Sequence, residues 1–171
     1  MQRAIKRFAR LAAAAVTILL FAALLGGCEK EQSWKTGKQA PEISVLDLND
    51  KTVKLSDFKG QVVVLRFWAT GCKACVAGMP VLDEYSKPYR DKGLTVLAIN
   101  MANSKPMVEA FAKGLKLSYP VFQDPALIAA GKYGVRAVPS TYIIDRKGIA
   151  RSFAVGEITR EKFDQTVGEL L

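Results

Sequence analysis

Two cysteines at C-x-x-C spacing, Cys72 and Cys75, stand directly after a run of apolar residues. The run predicts a buried strand, and the residues from Cys72 onward predict the first turn of a helix. The unpaired N–H groups and the positive end of the dipole at a helix start stabilise a thiolate. The thiolate is the nucleophile of thiol–disulfide exchange, so a lowered pKa of Cys72 is the first requirement for redox chemistry.

The second cysteine completes this predicted chemistry. Cys75 lies one helical turn after Cys72, close enough to attack a mixed disulfide formed there. We therefore predict that Cys72 is the attacking nucleophile and that Cys75 resolves the mixed disulfide. Lys73 lies between them, and a cation at that place would stabilise the thiolate further.

The N-terminal residues resemble an export signal. Residues 1–10 contain four basic side chains and no acid, and residues 11–25 contain no charge. This pattern is typical of a secretory signal peptide, and the apolar stretch is shorter than the ~20 residues that span a bilayer. Leu25-Gly-Gly-Cys28 resembles the bacterial lipobox, which predicts lipidation of Cys28. The alternative is an uncleaved membrane anchor with an incidental cysteine.

The predicted organisation follows from this leader. Residues 1–27 form a lipoprotein signal peptide, residues 28–38 a polar tether, and residues 39–171 one domain. The domain is expected in the cell envelope, lipid-anchored and facing the periplasm or another extracytoplasmic space. Disulfides persist in such compartments.

The composition argues against several other functions. The chain has three cysteines and no histidine. If Cys28 is lipidated, two thiols remain, too few for a structural zinc site, and we predict no metal and no cofactor. Four of the 25 basic side chains lie in the leader, so the net charge of +9 falls to +5 for the rest of the chain. There is no clustered basic stripe, and we predict no nucleic-acid binding.

Periodicity along the domain predicts an α/β fold. Two short strands around residues 43–48 and 52–55 form a hairpin signal, and buried strands follow at 62–67 and 94–99. Helices are predicted from the C-x-x-C motif toward Arg90, from Ser104 to Leu115, and from about residue 125 to Tyr133. Strands at 140–144 and 149–155 and a helix from Thr159 complete the chain.

This layout, with Val138-Pro139 before a late strand, resembles thioredoxin. Residues 55–70 (LSDFKGQVVVLRFWAT) and 134–145 (GVRAVPSTYIID) are similar to the TlpA/ResA branch of exported, membrane-anchored thioredoxin-like proteins. The resemblance covers residues 39–171. It implies a three-layer fold with a mixed central sheet, helices on both faces, an N-terminal β-hairpin and a central insertion. It also implies a protein-disulfide oxidoreductase.

The resemblance assigns substrate-binding roles to three residues. It implies that the Val138–Pro139 bond is cis, and an X–Pro bond is the one peptide bond for which cis is inexpensive. The backbone of Val138 would then pair with a cysteine-containing partner as a short strand extension. Trp68 would pack beside the dithiol and offer an apolar contact to substrate. The alternatives are a trans proline and a purely structural core aromatic.

The chain departs from the family at three positions near the dithiol. Gly71 stands where a Trp is common, Arg66 where an Asp or Asn is usual, and Gly78 where a Glu is frequent. The resemblance implies an acid that moves the proton of Cys75, and neither of the last two positions carries one. If Arg66 faces the dithiol, the couple should be more oxidising than thioredoxin's ~−270 mV. The alternative is an Arg66 that reaches solvent or an acid.

We therefore predict a membrane-anchored thiol–disulfide oxidoreductase that reduces protein disulfides, for example in cytochrome c maturation. Its predicted partners are cysteine-containing envelope proteins and a membrane thiol electron donor. Two alternatives stay open at this point. One is a peroxiredoxin-like peroxide reductase, although the P-x-x-x-T-x-x-C arrangement is absent. The other is a binding module with a structural disulfide, although so short a loop stabilises little.

Overall fold

The computed structural model describes residues 34–101 and 103–171. The predicted signal peptide, Cys28 with its predicted lipidation, and the first part of the predicted tether lie outside these residues. Within the described ranges, no helix has the length and apolar character needed to cross a membrane.

In the part of the chain that the structure describes, a seven-stranded mixed sheet organises the domain. Its spatial order is β2-β1-β5-β4-β3-β6-β7, in which β3, β4 and β5 are parallel neighbours and the remaining pairs are antiparallel. The strands are β1 (Ser44–Leu46), β2 (Thr52–Lys54), β3 (Val62–Trp68), β4 (Leu94–Met101), β5 (Val121–Asp124), β6 (Ser140–Ile144) and β7 (Ala150–Val155).

Within residues 34–101 and 103–171, four α-helices and two short 3₁₀ segments accompany the strands. The helices are α1 (Lys73–Ser86), α2 (Lys105–Leu115), α3 (Ile128–Lys132) and α4 (Arg160–Gly168), with 3₁₀ turns at Leu55–Phe58 and Lys87–Lys92. Thr159 caps α4 by accepting the N–H of Lys162, whereas Ser104 precedes α2 without a side-chain cap. The sequence did not predict β5.

Strand β3 is the centre of the molecule. All seven of its residues are buried, as expected for a strand covered on both faces. Val62, Val64 and Trp68 join one core cluster, together with residues of α1, α2 and α4. The alternate residues, such as Leu65 and Phe67, join a second cluster that includes α3. Helices therefore cover both faces of the sheet, as predicted.

The N-terminal hairpin is confirmed. Strands β1 and β2 pair antiparallel, with Val45 opposite Val53. The Asp47 carboxylate accepts the N–H groups of Asn49 and Lys51, which closes the turn.

Some residues of the predicted tether contact the folded domain. The Trp34 ring lies 4.8 Å from the Tyr142 ring, centroid to centroid, in an edge-on arrangement. The N–H of Gly37 donates to the carbonyl of Ala150 at 2.8 Å. Among the described residues, contact with the domain is thus already present at Trp34, five residues before the predicted domain boundary.

Candidate active site

Cys72 is the N-cap residue of α1. Its sulfur accepts the N–H of Cys75 at 3.1 Å, the bond that Ser or Asp side chains usually make at this position. The carbonyl of Cys72 accepts the N–H of Val76 and so starts the helix. A thiolate formed at Cys72 would therefore be stabilised by a direct N–H donor and by the helix dipole.

The two cysteines form a disulfide, and their surroundings differ. Cys75 is fully buried in the core cluster that also contains Trp68 and Met79, whereas Cys72 lies at its edge and is partly exposed. Only the Cys72 sulfur is therefore accessible to a large partner. This asymmetry fits the predicted roles of an attacking and a resolving cysteine.

The segment before Cys72 is fixed by hydrogen bonds. The N–H of Cys72 donates to the carbonyl of Ala69, which makes a tight turn between β3 and α1. The N–H of Thr70 donates to the Asn103 side chain, from the loop after β4. The dithiol thus stands at the carboxyl end of the parallel strands on a braced turn.

Val138 and Pro139 lie beside the dithiol. The peptide bond between them is cis, which confirms the prediction. The Val138 carbonyl oxygen lies 3.6 Å from the Cys72 sulfur. Pro139 is buried and Val138 is half-buried, and the substrate-binding role of both residues stays a prediction.

Trp68 and Lys73 differ in exposure. Trp68 has no exposed surface and packs within the core, with its ring 6.3 Å from that of Phe111, centroid to centroid. Contact with a substrate would require this side chain to become exposed, so that role stays a prediction. Lys73 is exposed at the first position of α1, and its influence on Cys72 also stays a prediction.

Arg66 is buried completely and is paired with an acid. Its Nη2 donates to Glu157 Oε1 at 2.5 Å, and its Nη1 donates to Thr141 Oγ1 at 2.9 Å. Among the described residues, its Nε has no hydrogen-bond partner. Glu157 lies in the loop between β7 and α4, and 42% of its side chain is exposed. The sequence alone does not show whether Arg66 reaches an acid, and the structure identifies that acid as Glu157.

Glu157 also explains the small residue at position 78. A Cβ atom on Gly78 would overlap the carboxyl group of Glu157. The carboxylate therefore occupies the space where a side chain from α1 would begin. Sequence reasoning missed Glu157 because it lies 91 positions after Arg66, in a loop with no periodic pattern.

We predict that the two thiols of the reduced protein differ sharply in reactivity. In the full chain carrying Cys28→Ser, we measure how the rate of Cys72 alkylation by iodoacetamide depends on pH. This rate should reach half its maximum at a pH below ~8.5, the pKa of a free cysteine. Cys75 should react only after unfolding, because it has no exposed surface. Peptide mapping after timed alkylation measures both rates. Equal labelling of the two cysteines would contradict the assignment.

Comparisons with known proteins agree with this site. Residues 36–153 match the model of the AhpC/TSA family. The thioredoxin-like protein YneN of Bacillus subtilis is 39% identical over 140 residues, which cover 80% of this chain and 81% of that protein. The thiol-disulfide oxidoreductase ResA of Bacillus cereus is 35% identical over 140 residues, which cover 82% and 81%.

The fold comparison leads to the same enzymes. A crystal structure assigned as the thiol:disulfide interchange protein DsbE of Chlorobium tepidum matches with a TM-score of 0.75 and 29% identity. The match covers 81% of this chain and 99% of that one. The chain therefore belongs to the AhpC/TSA family and, more closely, to the ResA-like thiol–disulfide oxidoreductases of the thioredoxin fold.

Proposed function

We propose that this chain is a lipid-anchored oxidoreductase of the cell envelope that reduces disulfides in partner proteins. The observation that carries the proposal is the partly exposed Cys72 sulfur at the start of α1, beside the backbone of Val138. A partner's disulfide reaches Cys72, a mixed disulfide forms, and Cys75 releases the reduced partner.

An extended partner segment fits beside Val138. No hydrogen bond occupies the Val138 N–H in the part of the chain that the structure describes. A cysteine-containing segment would add there as a short strand, with its sulfur next to Cys72. Partners of this kind include apocytochromes, whose C-x-x-C-H haem-attachment motif must be reduced. After each turnover, a membrane thiol donor would restore the dithiol.

The charge balance beneath the dithiol removes one reason to expect an oxidising couple. An unpaired cation near the cysteines stabilises their thiolate form and makes the couple more oxidising. Glu157 compensates the charge of Arg66, so this influence is largely cancelled. We therefore expect a reducing couple in place of the more oxidising one that an uncompensated Arg66 would produce.

Peroxide reduction has weaker support. The residues before Cys72 are Trp68-Ala-Thr-Gly71, which do not provide the P-x-x-x-T-x-x-C arrangement of a peroxidatic cysteine. A peroxidase assay separates this alternative from disulfide reduction. A structural disulfide is the remaining alternative, and resistance of the Cys72–Cys75 bond to mild reductants would favour it.

The reduction potential tests the direction of electron flow. We expect the Cys28→Ser chain, equilibrated with dithiothreitol and glutathione buffers at pH 7, to give a value near or below thioredoxin's ~−270 mV. The reduced protein should also reduce a disulfide-bonded peptide that contains C-x-x-C-H, and Cys72→Ser should abolish this transfer. A potential near −180 mV, about that of protein disulfide isomerase, would contradict the reductase.

Membrane fractionation tests the anchor. The full chain, expressed in a bacterium that processes lipoproteins, should sediment with membranes and incorporate labelled fatty acid. Cys28→Ala should lose the fatty-acid label and prevent lipoprotein processing, because a lipidated cysteine is the attachment point. Cys72→Ser is the matched control and should keep the label. A Cys28→Ala chain that keeps the label would refute the lipid anchor.

A further inference from the structure

We propose that Glu157 is the proton acceptor for Cys75 during exchange and that Arg66 positions its carboxylate. This inference concerns the exchange reaction itself, so it holds for either direction of electron flow and with or without the anchor.

Arg66 lies on the face of the sheet that packs against Cys75. Alternate residues of a strand point to the same face of a sheet. Val64 and Trp68, on either side of Arg66 along β3, pack in the cluster that contains Cys75. The Arg66 side chain therefore leaves the sheet toward α1 and the buried cysteine.

The Glu157 carboxylate lies near Cys75. Side chains three residues apart on a helix are neighbours, with Cβ atoms roughly 5–6 Å apart. Gly78 is three residues after Cys75, and the Glu157 carboxyl group occupies the position that a Gly78 Cβ would take. The carboxylate thus lies about one helical turn from Cys75, within reach of its thiol directly or through one water molecule.

One oxygen of the Glu157 carboxylate is available to accept a proton. Its Oε1 binds Arg66, and its Oε2 has no hydrogen bond within the described residues. With 42% of the side chain exposed, the carboxylate can exchange protons with solvent. Arg66 is fully buried and held by Thr141, so it fixes one oxygen and leaves the other available.

The other titratable groups near this site are unsuited to the task. Burial, followed by the charge of Asp83, raises the pKa of Tyr119 well above its usual value, so this phenol stays protonated and donates to the Met79 carbonyl. Asp83 already accepts from Ser118 and Arg90. Arg66 beneath α1 and the exposed Lys73 at its start are cations and cannot accept a proton.

A mixed disulfide joins Cys72 to a partner sulfur, and Glu157 takes the proton of the Cys75 thiol. The Cys75 sulfur then attacks the Cys72 sulfur, and the bond from Cys72 to the partner breaks. The partner leaves as a thiolate and takes a proton from solvent, while Glu157 returns its proton to solvent. Two electrons pass from the cysteines to the partner.

The reaction with Ellman's reagent separates the two cysteines. In the full Cys28→Ser chain, attack by Cys72 releases one thionitrobenzoate, and attack by Cys75 on the resulting mixed disulfide releases the second. The variant to compare carries Arg66→Met and Glu157→Gln together, because removing both charges leaves no unpaired guanidinium. At pH 7 the second release should slow at least about tenfold, while the first is unchanged.

The pH dependence distinguishes a proton acceptor from a structural pair. The second-phase rates of the variant and the parent should converge as the pH is raised, because hydroxide then removes the thiol proton without a carboxylate acceptor. Equal slowing of both phases, or an unchanged second phase at pH 7, would overturn the proposal. A parent protein that releases no second thionitrobenzoate would instead count against the dithiol activity itself.

Gly78→Ala provides a second test that keeps both charges. Its new Cβ would overlap the Glu157 carboxyl group, and the flexible end of Glu157 would have to move away. We expect the same pH-dependent slowing of the second phase. Gly114→Ala in α2 is the matched control, since its Cβ would meet nothing within 4 Å. If Gly78→Ala and Gly114→Ala behave alike, the carboxylate position does not matter and the proposal is wrong.

Discussion

A guanidinium buried in the central strand imposes the strictest physical demand on this domain. Arg66 has no exposed surface and sits in the middle of β3. An unpaired charge at such a place would cost several kcal/mol, so the fold must bring an anion to it. Glu157, in the loop after β7, supplies this anion. Thr141, on the neighbouring strand, accepts a hydrogen bond from the same guanidinium. Gly78 leaves the space on α1 that this carboxylate fills.

The surroundings of the Cys72 sulfur depend on a different part of the fold. The turn after β3 ends at Cys72, whose sulfur accepts the N–H of Cys75 in the first turn of α1. The Val138 carbonyl approaches that sulfur from the segment before β6. Because β3 pairs with both β4 and β6, one strand fixes the turn and the facing backbone together. The accessible sulfur and the buried sulfur thus have separate surroundings, as a two-step exchange requires.

Apolar runs and short motifs predicted the parts of the structure that depend on residues close together in the sequence. The apolar runs gave β3 and β4, and the C-x-x-C motif with the Val-Pro segment located the dithiol and its cis proline. Strand β5 was missed because its four residues end in Gln123 and Asp124 and so lack an apolar pattern. Glu157 was missed because its importance depends on Arg66 and Gly78, which only the folded chain brings near it. A glycine in a sequence shows that a side chain is missing but not what fills the space.

Trapping the mixed disulfide tests the central claim, that Cys72 attacks and Cys75 resolves. The Cys75→Ser and Cys72→Ser variants would each be reduced, mixed with a disulfide-bonded peptide and followed by intact mass. The account predicts that Cys75→Ser accumulates a stable adduct attached to Cys72 and that Cys72→Ser forms none, since Cys75 is buried. An adduct on Cys75, or equal adducts in both variants, would contradict it.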